Sequence, residues 1–204
     1  MTAPVPESPA SPRRLIVAIS GASGFVYGVR LLQLLRPLDV ETHLIVSRSA
    51  QTTMAWETDW KLADVTALAD RTWRNDDLAA CVSSGSYRTL GMVVAPCSMK
   101  TLAEIATGLS SSLIGRAADV VLKERRKLVL AVRESPFNDI HLENMLKLSR
   151  MGAVICPPMP AFYARPKTVD EIVDWAAARL LDQVGIHSGT AERWDGEMEA
   201  GVEP

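Results

Sequence analysis

The stretch from Lys127 to Arg133, KLVLAVR, constrains the fold more than any other: an apolar run that stops abruptly at an arginine, followed by Glu134, Ser135 and Pro136. A strand buried on both faces of a parallel sheet reads as a near-continuous Val/Leu run rather than as an alternation. In open α/β sheets, ligands collect beyond the carboxyl ends of such strands. Arg133 and Glu134 therefore stand where that rule puts chemistry.

Similar short runs recur along the chain: Leu15–Ser20 (LIVAIS), Val40–Val46 (VETHLIV), Gly91–Ala95 (GMVVA) and Ala153–Cys156. Each is followed by residues at helical spacing, of which the clearest set is Val169, Ile172, Val173, Ala176, Ala177, Leu180, Leu181 and Val184. Thr168 and Glu171 give that last helix a capping box. Strands alternating with helices imply a doubly wound, mostly parallel α/β sheet. Residues 57–90, rich in acidic side chains, read as an elaborated loop region. Residues 1–12, rich in Pro, Ser and Ala, read as a disordered tail, 13–186 as a single α/β domain, and 187–204 as a second tail.

The chemistry-bearing residues gather at the ends of the predicted strands. Ser23, Ser47, Ser98, the Arg133-Glu134 pair and Tyr163 each follow one closely. Five loops on one edge suit a flat, phosphorylated cofactor. Gly21-Ala22-Ser23-Gly24, between strand and helix, is either a phosphate cradle or a tight turn with no ligand, because the pattern is GxxG rather than GxGxxG. Ser47 is either a helix cap or a ligand contact. Arg116 and Lys123 share a helix face with Asp119 between them, which by itself reads as a solvated ion pair, and Arg179 as part of a solvated face.

Composition excludes several functions. A net charge of −2 argues against nucleic acid as the main partner. No apolar run reaches the roughly 20 residues of a membrane span. Cys81, Cys97 and Cys156 are odd in number and far apart, which suits reduced thiols in the cytoplasm. His43, His141 and His187 show no metal-ligand spacing, so no metal is expected.

Four segments together resemble the flavin prenyltransferases of the UbiX type: the GASG loop, APCSMKTLAEIATG (95–108), GRAADVVLKERRKLVLAVRESPFNDIHLENMLKLSRMGAV (115–154) and PPMPAFYARP (157–166). The resemblance implies a flavodoxin-like, Rossmann-like flavoprotein that forms a homo-oligomer, often a dodecamer. It implies an enzyme joining reduced FMN, at N5 and C6, to dimethylallyl phosphate. The product, prenylated FMN, serves partner decarboxylases of the UbiD type. By matching motif, Gly21, Ala22, Ser23, Ser47, Ser98, Met99, Lys100, Thr101 and Arg133 contact FMN, and Ser23 with Glu57 forms a polar relay beside N5. Arg116, Lys123, Tyr163 and Arg179 hold the prenyl phosphate, Glu134 supplies a proton, and Trp194 lines the site. Two alternatives are a non-catalytic FMN-binding subunit of an aromatic-acid decarboxylase and a flavin-dependent cysteine decarboxylase. The latter uses an Asn-bearing PxMN segment, where this chain has Pro158-Met159-Pro160-Ala161.

Overall fold

The computed structural model describes residues 13–190, and within them strands and helices alternate as the apolar pattern predicts. The strands are β1 (Arg14–Ile19), β2 (Glu41–Val46), β3 (Arg71–Arg74), β4 (Gly91–Cys97), β5 (Lys127–Val132) and β6 (Val154–Ile155). The α-helices are α1 (Phe25–Leu35), α2 (Arg48–Glu57), α3 (Leu62–Thr66), α4 (Met99–Thr107), α5 (Leu113–Lys123), α6 (Asp139–Arg150) and α7 (Val169–Gln183). All strand pairs are parallel, in the order β3-β2-β1-β4-β5-β6.

The apolar runs form the middle of the sheet because both their faces are covered. On β1, Leu15, Val17 and Ile19 enter one core with α1 and α7, while Ile16 and Ala18 enter the other with α4 and α5. Gly28 lets α1 lie close on the sheet, since a Cβ there would press into the Ile19 side chain and the Ala95 carbonyl. A bidentate pair fastens α7 to α1: Arg30 donates through Nε to Asp174 Oδ1 at 2.5 Å and through Nη2 to Oδ2 at 2.9 Å.

The 57–90 stretch departs from the expectation of an irregular region. It contains α3 and the edge strand β3, paired along His43↔Arg71 to Val46↔Arg74. An edge strand meets the core on one side only, and charged side chains on it discourage edge-to-edge pairing. Arg71-Thr72-Trp73-Arg74 therefore lacks the apolar run that reveals the central strands. At the start of α7 the capping box is half formed. Thr168 Oγ1 accepts from Glu171 N at 3.2 Å, but the Glu171 carboxylate takes Lys167 N at 2.6 Å instead of the Thr168 N–H.

Candidate active site at the strand-order switch

Parallel pairing puts every strand's carboxyl end on one rim, and the order reverses between β1 and β4, which opens a crevice there. Ser20, 1% exposed, ties the two sides together. Its hydroxyl donates to Pro96 O at 2.9 Å and accepts from Ser98 N at 2.8 Å.

At the β1–α1 loop the start of the helix is capped from within the chain. Gly24 is the N-cap of α1, left-handed at φ 99°, and brings no side-chain cap. Glu57, at the end of α2, supplies it: Oε2 accepts from Gly24 N at 2.8 Å and from Phe25 N at 3.1 Å. Partial burial works to raise this carboxyl. Hydrogen bonds from the Ser23 hydroxyl and from those two backbone N–H groups, with the charge of Arg133, outweigh it and hold Glu57 below the usual carboxylate range. At GASG, the Gly24 and Phe25 N–H groups are thus taken by the chain's own carboxylate.

A depressed folded-state pKa contributes stability above the unfolded value, and that contribution is lost as pH falls through the folded value. Glu57→Ala should therefore cost about 1 kcal/mol near neutrality, the usual worth of a helix cap. The gap to the parent should close in acid, below the ordinary carboxylate value of 4.5. Urea melts of both proteins across that range check this. A gap that persists undiminished at about pH 3 would rule out the carboxylate cap.

At β2 and β4, Ser47 and Ser98 are the N-caps of α2 and α4. Ser47 Oγ accepts from Ala50 N at 3.1 Å and lies 3.1 Å from Ser49 Oγ. Ser98 Oγ accepts from Thr101 N at 3.3 Å and donates to Thr101 Oγ1 at 3.1 Å. The first N–H groups of a helix have no intrahelical partner, so those of Met99 and Lys100 point into the crevice. Beside them, Arg133 donates its backbone N–H to Cys97 O at 3.0 Å. Its guanidinium makes no hydrogen bond among the described residues, although its charge reaches Glu57 and Tyr27. Glu134 is exposed and accepts from Ser135 N at 3.1 Å. Burial pushes the Cys97 thiol up to about 12, so it stays protonated.

The remaining candidates form two groups. On α5, Arg116 pairs with Asp119 at 2.9 Å, as its spacing suggested, and also donates through Nε to Ser83 O at 3.2 Å. Lys123 Nζ lies 2.6 Å from Glu124 Oε1. Both flank the 83–87 turn, to which Arg126 donates at Gly85 O (2.6 Å) and Tyr87 O (2.8 Å). On α7, Arg179 donates to Asp182 Oδ2 at 2.6 Å, and the Trp175 ring stands edge-on to Tyr163 with centroids 6.3 Å apart. The apolar side of α5 belongs to one core and that of α7 to the other, so the two groups lie on opposite faces of the sheet. One chain therefore does not bring Arg116 and Lys123 together with Arg179. Trp194 lies outside the described residues.

Sequence reasoning missed Ser20, whose position at the end of an apolar run carries no signal. It also missed the internal role of His43. That ring is buried, accepts from Trp73 Nε1 at 3.0 Å and lies 3.1 Å from Tyr87 Oη and 3.2 Å from Glu41 Oε1. Burial lowers its pKa and outweighs the neighbouring Glu41 carboxylate. Among the described residues no group of His, Cys, Asp and Glu is arranged to hold a metal ion, and no helix is long and apolar enough to cross a membrane.

Comparison with known proteins agrees with this geometry. The Flavoprotein family model matches residues 5–181. A probable UbiX-like flavin prenyltransferase of Streptomyces sp. (strain D7) is 58% identical over 188 residues, 92% of this chain and 94% of that protein. The crystal structure of AnUbiX in complex with FMN and dimethylallyl pyrophosphate superposes with a TM-score of 0.90 at 49% identity, covering 92% of this chain and all of that one. A dodecameric FMN-dependent UbiX-like decarboxylase from Escherichia coli O157:H7 gives a TM-score of 0.88 at 58% identity, covering 90% of this chain and 100% of that chain. The chain belongs to the Flavoprotein family, and within it to the UbiX-like flavin prenyltransferases.

Proposed function

We propose that this protein is a flavin prenyltransferase that joins the dimethylallyl group of dimethylallyl phosphate to N5 and C6 of reduced FMN, with release of phosphate. The observation that carries this reading is the crevice at the β1–β4 switch, where hydrogen-bond donors stand beside a fixed carboxylate. The outward N–H groups of Met99 and Lys100, the Ser98 and Thr101 hydroxyls and the Arg133 guanidinium fit the phosphate end of FMN. Gly21, Ala22 and Ser47 border the same loops, and the Ser23–Glu57 hydrogen bond provides a polar relay at the flavin edge. Reduced flavin supplies the nucleophilic N5 and C6.

Departure of phosphate builds negative charge on its oxygens, and fixed cations stabilise that charge more in the transition state than in the ground state. Arg116, Lys123 and Arg179, with the Tyr163 hydroxyl, are assigned that task, Trp194 a place in the site wall, and Glu134 the delivery of a proton to the leaving group. A protein that only carried FMN would have no use for this second set of cations. Because α5 and α7 stand on opposite faces of one chain, the set closes only between copies of the chain. The exposed apolar residues of α6, Ile140 at 66% and Leu142 and Leu146 each at 51%, support burial in a homo-oligomer, for which we propose a dodecamer. We place this FMN-binding unit in residues 13–186, the protein in the cytoplasm, and its product in the service of a UbiD-type decarboxylase.

The test is to incubate the reduced, FMN-loaded protein anaerobically with dimethylallyl phosphate and to follow the mass and absorbance of the flavin. The expected result is stoichiometric gain of one prenyl unit on FMN. Unmodified FMN after prolonged incubation with either dimethylallyl phosphate or its pyrophosphate would leave a flavin carrier.

A further inference from the structure

We infer that Asp182, braced by His187, is a positioning residue for Arg179, holding the guanidinium so that its free N–H groups face the leaving phosphate of the prenyl donor. The inference rests on the assignment of Arg179 to that phosphate.

An Arg–Asp pair three residues apart on a helix surface is ordinarily worth little. Here, however, the Asp182 side chain is only 9% exposed, while Arg179 is 43% exposed. A carboxylate withdrawn that far from water must be satisfied by its neighbours. Both oxygens are engaged: Oδ2 accepts from Arg179 Nη1 at 2.6 Å, and Oδ1 lies 2.7 Å from His187 Nδ1. Held at two points, the carboxylate cannot swing, and it pins one corner of a planar fork that carries five N–H donors. Among the described residues the Arg179 side chain makes no other hydrogen bond, so the rest of the fork stays available.

Its placement agrees. The charge of Arg179 reaches the Cys156 thiol just past β6. One helical turn earlier on the same face stands Trp175, against which Tyr163 packs. The two residues that α7 and its neighbouring turn offer to a phosphate are therefore both set by neighbouring side chains, Arg179 by Asp182 and Tyr163 by Trp175.

Positioning and charge make opposite predictions. A guanidinium freed from Asp182 must be ordered when the donor binds, and ordering one rotamer-rich side chain costs roughly 3- to 10-fold in affinity. Loss of a carboxylate near an anion site would by charge alone tighten binding, and equally in Ala and Asn variants. Steady-state prenylation by the full-length, FMN-loaded oligomer separates the two. Asp182→Ala should raise KM for dimethylallyl phosphate about tenfold and Asp182→Asn about threefold, because Asn keeps an acceptor oxygen. In both, kcat should stay within about twofold and FMN content should be unchanged. His187→Ala, at a side chain 66% exposed, should show the same KM signature at smaller size. If Asp182→Ala does not assemble, the sign of the change in the isosteric Asn variant decides.

Unchanged or lowered KM in Asp182→Asn, with kcat/KM lowered in Arg179→Ala, overturns the positioning role alone. No prenylation by the parent, or an unaltered kcat/KM in Arg179→Ala, overturns the assignment of the site and this inference with it.

Discussion

Glu134→Gln should slow prenyl transfer by roughly 10²–10⁴-fold, the usual worth of a positioned general acid, with fold, assembly and FMN content intact. The structure favours the clean form of this result. Glu134 lies just past β5, exposed, and among the described residues its one hydrogen bond comes from the Ser135 N–H, which a glutamine oxygen accepts equally well. Among the described residues no cation pairs with it, so its removal leaves no buried charge behind. Arg133 and Glu134 are adjacent at a strand end, where successive side chains leave opposite sides of the backbone. On the proposed reading Arg133, whose charge is felt at Glu57, serves the flavin side and Glu134 is left for the leaving group. A phosphate dianion close to a carboxylate favours a proton shared between the two. Glutamine cannot release that proton. Stopped-flow measurement on the reduced, FMN-loaded variant reads the step directly. A rate within about threefold of the parent would remove the acid role, and loss of flavin or of soluble protein would assign Glu134 to structure instead.

The extent to which the fold was legible follows from how each element is stabilised. β1, β4 and β5 are covered on both faces, so their sequences carry unbroken apolar runs that local inspection finds. Ser47, Ser98 and Thr168 cap α2, α4 and α7, an interaction spanning three residues and visible as such. β3 escaped because an edge strand of Arg, Thr, Trp and Arg needs no such run. The cap on α1 escaped for a different reason: Glu57 reaches Gly24 across 33 residues of chain, and no local pattern reports a partner that distant. Family resemblance named Ser23 and Glu57 together, but only the three-dimensional arrangement gives Glu57 two backbone N–H groups to hold. Spacing correctly set Asp119 against Arg116. It carries no information on which face of the sheet a helix crosses, and that is what separates Arg116 from Arg179.

That separation leads to the second large effect. Arg116→Ala and Arg179→Ala should each lower kcat/KM by roughly 10²–10³-fold, the usual loss when one preorganised charge stabiliser is removed. Arg116→Ala also frees the Ser83 carbonyl and Asp119, both only partly buried, so folding should survive. If each site takes α5 from one chain and α7 from another, the two inactive variants complement each other. In oligomers assembled at random from equal amounts of both, about one site in four receives an intact arginine from each contributing chain. Co-expression of differently tagged variants, followed by tandem purification of the mixed oligomer, should therefore recover about a quarter of parental activity, far above either variant alone. The same variants purified apart and mixed without exchange of chains should stay inactive, which separates complementation from contamination. If the mixed oligomers stay at the level of the single variants, α5 and α7 of one chain serve the same site. The chain would then have to bring together two helix faces that lie on opposite sides of its own sheet.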